Sequence, residues 1–581
     1  MRITRRGWIE ATAAAAGFSA LDVAAAQAPA VGPPPGRTPD FPAGSFHILG
    51  PGGRHDYTAA LEALRTYALA ELAAYGLPGM TLAVSDADGF SAVLALGWAD
   101  RERRVPVNPG HYFQIGSISK SFIALSVLAL ADQGRIDLDA PLVHYLPDAP
   151  LPPEPITIAQ LLSHTSGLAD DPPLFPRVPG ERLWCGFPPG SQFSYSNLGY
   201  TLLGRLIERV TGLPHQAAVD RLVRAPLGLG GMAGVISQTR RREFAIGYWP
   251  WNRFAAASLP GARLEFASWD EEDTPAGSIG ATSGQMALYL RALLGLGAGR
   301  GAPLLSDASA RRFAAPVIAT DEFGPGARYA CGVAVVPIDG EPCLHHTGGM
   351  MAFSSSFHAD AAAGVACFAS VNARNESYRP RLTTAFAVRL MRAARAGKPM
   401  PTPPDPLGPF RLKDAAPLTG RFVGDGGAFA LVASGQDLRL VTPGGTFRAV
   451  PSGAGRLVTD HPGFARYGFD AIYESGNPVG FWWGETLFGR DAPRPRPETP
   501  PGLRALAGEY LNRDPWVGGG VILARGDALV ADGIGRLVDR GGWWSVEKDP
   551  GGVERMRFDG MLNGKAQRLN VSGVDLLRIT V

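Results

Sequence analysis

Gln114-Ile115-Gly116-Ser117-Ile118-Ser119-Lys120-Ser121-Phe122 is the stretch on which the fold turns. It opens an apolar run of Phe122, Ile123, Leu125, Val127, Leu128 and Leu130 that stops near Gly134, a pattern that predicts a helix starting at Ser117. Residues three apart share a helix face, so Lys120 lies one turn above Ser117. A hydroxyl is a poor nucleophile until a base takes its proton, and a lysine does this when burial and neighbours lower its pKa. The helix N-terminus adds positive potential and unsatisfied N–H groups beside the reacting oxygen.

Alone, the pattern S-x-x-K is weak, because Ser545-Val546-Glu547-Lys548 repeats it by chance. Scarcity lifts the first copy: Lys120 is the only lysine before Lys398, in a chain whose basic residues are nearly all arginine. A lone lysine on an apolar helix points to chemistry that arginine, always protonated, cannot perform.

Two further groups stand downstream. Tyr195-Ser196-Asn197, after Pro189-Gly190, puts a phenol and an amide two residues apart, able to point the same way from an extended segment. The phenol suits a proton relay and the amide suits orientation of a substrate carbonyl. Tyr510-Leu511-Asn512 is a decoy for this triplet, and a half-buried structural tyrosine is the plain alternative. His345-His346-Thr347-Gly348-Gly349-Met350 is expected between two strands, where paired glycines admit a substrate backbone and a free N–H faces an oxyanion. His346 is the candidate substrate donor, whereas His345 faces the opposite side. No G-x-S-x-G elbow, H-E-x-x-H, Walker A loop or convincing G-x-G-x-x-G competes.

At 581 residues the chain exceeds one ordinary domain. With 45% hydrophobic and 19% charged residues it is globular, and a net charge of +2 gives no reason to expect nucleic acid as partner. From Tyr57 the pattern runs helix (residues 61–75), two strands (80–84 and 92–98) joined by Asp86-Ala87-Asp88-Gly89, then helical and loop segments to about residue 294. Strands follow at 329–337, 353–358 and 365–371, then a helix at 382–396. This is an α+β order. Proline-rich stretches at 401–409 and 491–502 set off two pieces that resemble each other: Leu418-Thr419-Gly420-Arg421-Phe422 matches Leu506-Ala507-Gly508-Glu509-Tyr510 in type. The expectation is two small all-β modules (residues 410–490 and 503–581); one larger β-domain of uniform composition is the alternative.

Thr4-Arg5-Arg6-Gly7-Trp8-Ile9, an Ala-rich run and Ala26-Gln27-Ala28 have the order of a twin-arginine export signal (residues 1–28), with an ordinary amphipathic helix as the alternative. Residues 29–56 read as a Pro/Gly-rich linker. No later stretch offers the roughly 20 apolar residues of a membrane span, so the mature protein is expected to be soluble and periplasmic or secreted. Cys185, Cys331, Cys343 and Cys367 lack metal-ligand spacing, and sequence does not choose between a bridge and free thiols.

S-x-x-K, Y-x-N and H-x-G in this order resemble the serine β-lactamase and penicillin-binding-protein superfamily, in its class C-like branch with family VIII esterases and D-aminopeptidases. Leu161-Leu162-Ser163-His164-Thr165-Ser166-Gly167-Leu168 and Thr274-Pro275-Ala276-Gly277 strengthen the likeness, which covers Tyr57 to Ala396 within a catalytic domain expected over residues 57–398. The resemblance implies a β-lactamase/transpeptidase-like catalytic domain, a mixed-origin sheet with a helical insertion, followed by lipocalin-like barrels. It implies acylation of Ser117, proton removal by Lys120 and relay by Tyr195. Asn197, His346, Thr347, Gly348 and Gly349 would contact substrate, and the N–H groups of Ser117 and Gly349 would form the oxyanion hole. Neither metal nor organic cofactor is implied.

Many relatives carry lysine at the place of His346, where it helps bind a substrate carboxylate; imidazole is a weaker anion site. That tilts the expectation away from β-lactams toward esters, amides or peptides with a free N-terminus, and with the two β-modules it favours a peptidase or amidase of D-aminopeptidase type on small peptides. A family VIII-type carboxylesterase or weak β-lactamase is the alternative. A non-catalytic binding or sensor protein is a third reading, marked by a damaged triplet, and all three triplets are intact.

Overall fold

The structure is a computed structural model that describes residues 41–50, 54–174, 182–375, 378–425, 427–453, 455–514, 517–549 and 551–579. The export-signal expectation, and the linker up to residue 40, fall outside these residues. The chain divides into two compact units. The first holds Phe41–Trp249 and Leu264–Pro404; the second holds Pro250–Arg263 with the chain from Asp405 onward.

The first unit is built on an antiparallel sheet. Helix α1 (Thr58–Tyr75) leads into strands β1 (Gly79–Asp86) and β2 (Ser91–Asp100), the expected hairpin. Helices α2 (Ser119–Asp132), α3 (Asn197–Thr211) and α4 (Ser283–Gly297) come next. Strands β3 (Ala334–Ile338), β4 (Glu341–Met350), β5 (Phe353–Asp360) and β6 (Val365–Val371) then complete the sheet, and α5 (Arg381–Arg395) follows. The central order is β2-β1-β6-β5-β4-β3, so strand β6 from late in the chain pairs with β1 from its start. Apolar residues from α2, α3, α4 and one sheet face, among them Phe122, Leu128, Leu203, Leu290, Phe357 and Phe368, form one core. Burial of this kind stabilises by roughly 25 cal/mol per Å² of apolar surface.

Two local expectations are corrected. The run at 329–337 is two strands, Arg328–Tyr329 and β3, turned by Gly332 at φ +74°. A Cβ there would stand 2.6 Å from Cβ of Ala124, so only glycine lets the turn sit against α2. The H-x-G-G stretch does not lie between strands; it is the second half of β4 itself. Gly348 is the reason: a Cβ on it would fall 1.8 Å from the Ile115 carbonyl oxygen, so its absence lets the Ile115–Gly116 backbone lie on the strand.

The second unit contains two closed eight-stranded antiparallel barrels, over residues 420–490 and 508–578. Their interiors are filled with side chains: Phe422, Phe429, Phe469, Phe481 and Phe488 in one, and Tyr510, Ile522, Leu529, Met556 and Leu569 in the other. Each is fastened by an arginine of its last strand. Arg490 donates to the Thr419 and Pro417 carbonyls and lies over the Phe422 ring. Arg578 donates to the Ala507 and Ala505 carbonyls and lies over Tyr510, the same positions one barrel later. Between the barrels, Arg456 pairs with Asp532 and Arg525 with Asp470, while Arg456 also pairs with Asp470 of its own barrel. All four cysteines are free thiols, and Cys331, Cys343 and Cys367 are buried.

Candidate active site

Ser117 sits in a single 3₁₀ turn, Gly116–Ile118, that feeds directly into α2. Gly116 has φ +55°, a left-handed conformation that favours glycine, and it turns the chain from the short strand Phe113–Gln114 into the helix. Ser117 is 2% exposed and Lys120 is completely buried. An ammonium in such a place needs every proton satisfied. Lys120 Nζ donates to Ser117 Oγ at 3.2 Å, to Asn197 Oδ1 at 2.6 Å and to the Ala276 carbonyl at 2.9 Å. The rings of Tyr195 and Tyr200, centred 4.8 and 5.5 Å away, supply cation–π attraction.

Asn197 begins α3, whose N-cap is Ser196, with Oγ accepting from the Gly199 N–H. Its amide is held in one orientation by Asp170, whose Oδ1 accepts from the Asn197 backbone N–H at 3.1 Å and from Nδ2 at 3.0 Å. Tyr195 is fixed from the same stretch of chain. His164 accepts the Ser196 N–H at Nδ1 and the Ser194 N–H at its carbonyl, and its ring lies 4.3 Å from that of Tyr195. Burial first, then the nearby Lys120 charge and His346, push the His164 pKa well below the ordinary imidazole value, so it stays a neutral acceptor.

The fourth wall is β4. A Cβ added to Gly116 would lie 2.7 Å from the Gly349 nitrogen, so the Gly349 backbone borders the turn that carries Ser117. Gly349 pairs with Ser354 in register, and a Cβ on Gly349 would meet the Arg379 guanidinium at 2.9 Å. His346 is buried, with Nε2 3.0 Å from the Tyr329 hydroxyl and Nδ1 2.6 Å from the Thr347 carbonyl, and its ring lies 6.3 Å from that of Tyr195. Thr347 and Gly348 occupy the same strand. His345 faces the other side, stacked on His358 at 4.0 Å.

Ser117, Lys120, Tyr195, Asn197, His346 and Gly349 thus gather in one place. The arrangement offers a buried hydroxyl beside an amine, a phenol next to that amine, and two backbone N–H groups, of Ser117 and Gly349, on adjoining segments. This is the equipment of acyl transfer. Sequence reasoning did not single out Asp170, the Ala276 carbonyl, Tyr200 or Arg379. His164 and Ala276 stood within stretches noted only as flanks, and a buried aspartate next to Ala169 carried no pattern of its own.

A family model described as Beta-lactamase matches residues 64–389. Penicillin-binding protein 4 of Amycolatopsis lactamdurans is 30% identical over 378 residues, 61% of this chain and 94% of that protein. Esterase EstB of Burkholderia gladioli is 34% identical over 188 residues, 26% of this chain, and the matched stretch spans about half of the esterase (46%). Among solved structures, the octameric penicillin-binding protein homologue from Pyrococcus abyssi overlays with a TM-score of 0.52 at 21% identity. That overlay covers 74% of this chain and 99% of the other, a likeness of fold.

Proposed function

Because this chain belongs to the beta-lactamase family of serine hydrolases, we propose that it cleaves amide or ester bonds through an acyl-enzyme on Ser117, with small peptides or amides of the D-aminopeptidase class as substrates. The observation that carries the reading is the 3.2 Å approach of Lys120 Nζ to Ser117 Oγ, both side chains being buried. In its neutral form Lys120 takes the Ser117 proton as Oγ bonds to the substrate carbonyl carbon. The carbonyl oxygen gains negative charge and is met by the N–H groups of Ser117 and Gly349. Collapse of the tetrahedral species breaks the bond to the leaving amine or alkoxide, which takes a proton from the Lys120–Tyr195 pair. Water then repeats the sequence on the acyl-enzyme and frees the acid. Asn197, fixed by Asp170, orients the substrate amide and Lys120 together.

The peptidase class is favoured by His346 in place of a lysine, its two ring nitrogens engaged with Tyr329 and Thr347. A second reading has its own observation: Arg379 against Gly349 favours substrates that carry a carboxylate, β-lactams included. A D-alanine anilide, a short-chain nitrophenyl ester and a chromogenic cephalosporin, offered to wild type and Ser117→Ala with intact-mass detection, separate the readings. Preference for the anilide supports the first, and preference for the cephalosporin the second. A wild type that turns over none and never gains acyl mass refutes the hydrolase proposal.

Export belongs to the same proposal, resting on Arg5-Arg6 before an Ala-rich run. Among the described residues no helix is long and apolar enough to cross a membrane. Replacing both arginines by lysine should hold the protein in the cytoplasm on fractionation; unchanged export would remove the twin-arginine signal.

A further inference from the structure

One segment, residues 164–170, holds both ends of the Tyr195–Asn197 triplet: His164 binds the Ser196 N–H, and Asp170 binds Asn197 twice. The Asp170 carbonyl also accepts the Leu198 N–H at 2.8 Å, so the first turn of α3 is built on this residue. Asp170 is 2% exposed. A buried carboxylate is an expensive way to hold an amide, because a neutral acceptor would satisfy the same N–H groups without desolvating a charge. The chain of contacts shows what the charge adds. Asp170 Oδ1, the Asn197 amide and Lys120 Nζ are joined in sequence at 3.0 and 2.6 Å, so a buried carboxyl group faces a buried amine through one polarised side chain.

We propose that Asp170 is a positioning residue that fixes the Asn197 amide and, through its charge, sets the proton affinity of Lys120. This rests on the hydrolase reading of the site. The other titratable groups described around Lys120 come from three sides. Ser117 comes from its own turn and Tyr195 and Tyr200 from the α3 side. His164 comes from the same segment as Asp170, and His346, backed by Tyr329, comes from the sheet side. Asp171, next in the chain, is half-buried and is the natural control.

The acid limb of kcat/KM reports the base of the free enzyme. Asp170→Asn keeps an oxygen acceptor at the same place and removes the charge. Lys120 should then lose its proton more readily, moving the acid limb down by about one pH unit. Asp171→Asn should leave the limb in place. Asp170→Ala, which removes the acceptor as well, should lower kcat about 100-fold with KM within about 3-fold, the mark of lost orientation. If Asp170→Asn does not fold, Asp170→Ser provides a small neutral replacement for the same measurement. A limb unmoved in the neutral variant, or moved equally by Asp171→Asn, overturns the inference while wild-type acylation leaves the hydrolase reading standing. A wild type that never acylates sinks that reading itself.

Discussion

The second barrel carries copies of two of the three catalytic spacings, and the copies do nothing that the originals do. Ser545 and Lys548 are three apart, as are Ser117 and Lys120, but they belong to the end of strand Trp544–Val546 and the turn after it. Ser545 is buried, with Oγ accepting from Arg540 Nε, whereas Lys548 is exposed to solvent. On a helix a three-residue step returns to the same face; on a strand it crosses to the other. Tyr510 and Asn512 are equally diverted. The Tyr510 hydroxyl donates to the Leu506 carbonyl and accepts from Arg578, and Asn512 is spent on Asp575 and Asp514. The pattern becomes a site only where the backbone beneath it is helical and where a third element closes over it.

Mutating both sets tests this contrast. Ser117→Ala should lower kcat/KM by at least about 10⁴-fold and abolish the acyl adduct in intact mass, while Ser545→Ala changes turnover less than about 2-fold. Comparable losses from the two would end the contrast. Lys120→Arg should cost about 10³-fold, because guanidinium cannot accept the proton, and Lys548→Arg should be silent in the same assay.

One buried carboxyl group in each unit should also answer pH in opposite directions. Glu71, buried on α1 and bound by Tyr378, Thr383 and Tyr67, has its pKa raised by burial to about 7. Its folded value lies above the unfolded one, so the folded state binds the extra proton between about pH 4.5 and 7, and stability falls as pH rises through that window. Glu71→Gln should flatten this slope and stabilise the first unit at pH 8 by a few kcal/mol, read by calorimetry. Asp470 behaves inversely. Burial opposes its charge, but Arg456 and Arg525 hold its pKa below the usual carboxylate range. The stability it lends is complete above the unfolded value near 4 and is lost as pH falls through the folded one. Asp470→Asn should therefore cost the barrels more stability at pH 7 than at pH 3, and an equal loss at both would contradict the assignment.

Two glycines give the last contrast, and the second of them the smallest effect. Gly348→Ala places a methyl on the Ile115 carbonyl and should cost several kcal/mol together with activity. Gly502→Ala, in the helix Pro501–Leu506 with open space around it, should lie within about 1 kcal/mol of wild type, on the stabilising side.

Much of this was legible beforehand. Helix periodicity located α2, alternation and turn residues located the β1–β2 hairpin, and the repeated Leu-x-Gly-x-aromatic pieces marked the start of each barrel. What stayed hidden has a common physical cause. Gly332 splitting a strand and Gly348 lying inside one are demanded by contacts with Ala124 and Ile115, more than 200 residues away in the chain. Asp170 and the Ala276 carbonyl act through long-range geometry, and a backbone carbonyl has no letter in the sequence.

The arginines that fasten the barrels have an engineering consequence. Each draws its acceptors from the leader of its own barrel, so the fastening travels with the piece of chain it closes. A segment of this kind behaves as a cassette: it can be duplicated, exchanged or grafted with its closure intact, and what needs rebuilding is the joint, where Arg456–Asp532, Arg525–Asp470, Arg466–Glu509 and the packing of Tyr467 on Val521 and Leu523 cross from one barrel to the other.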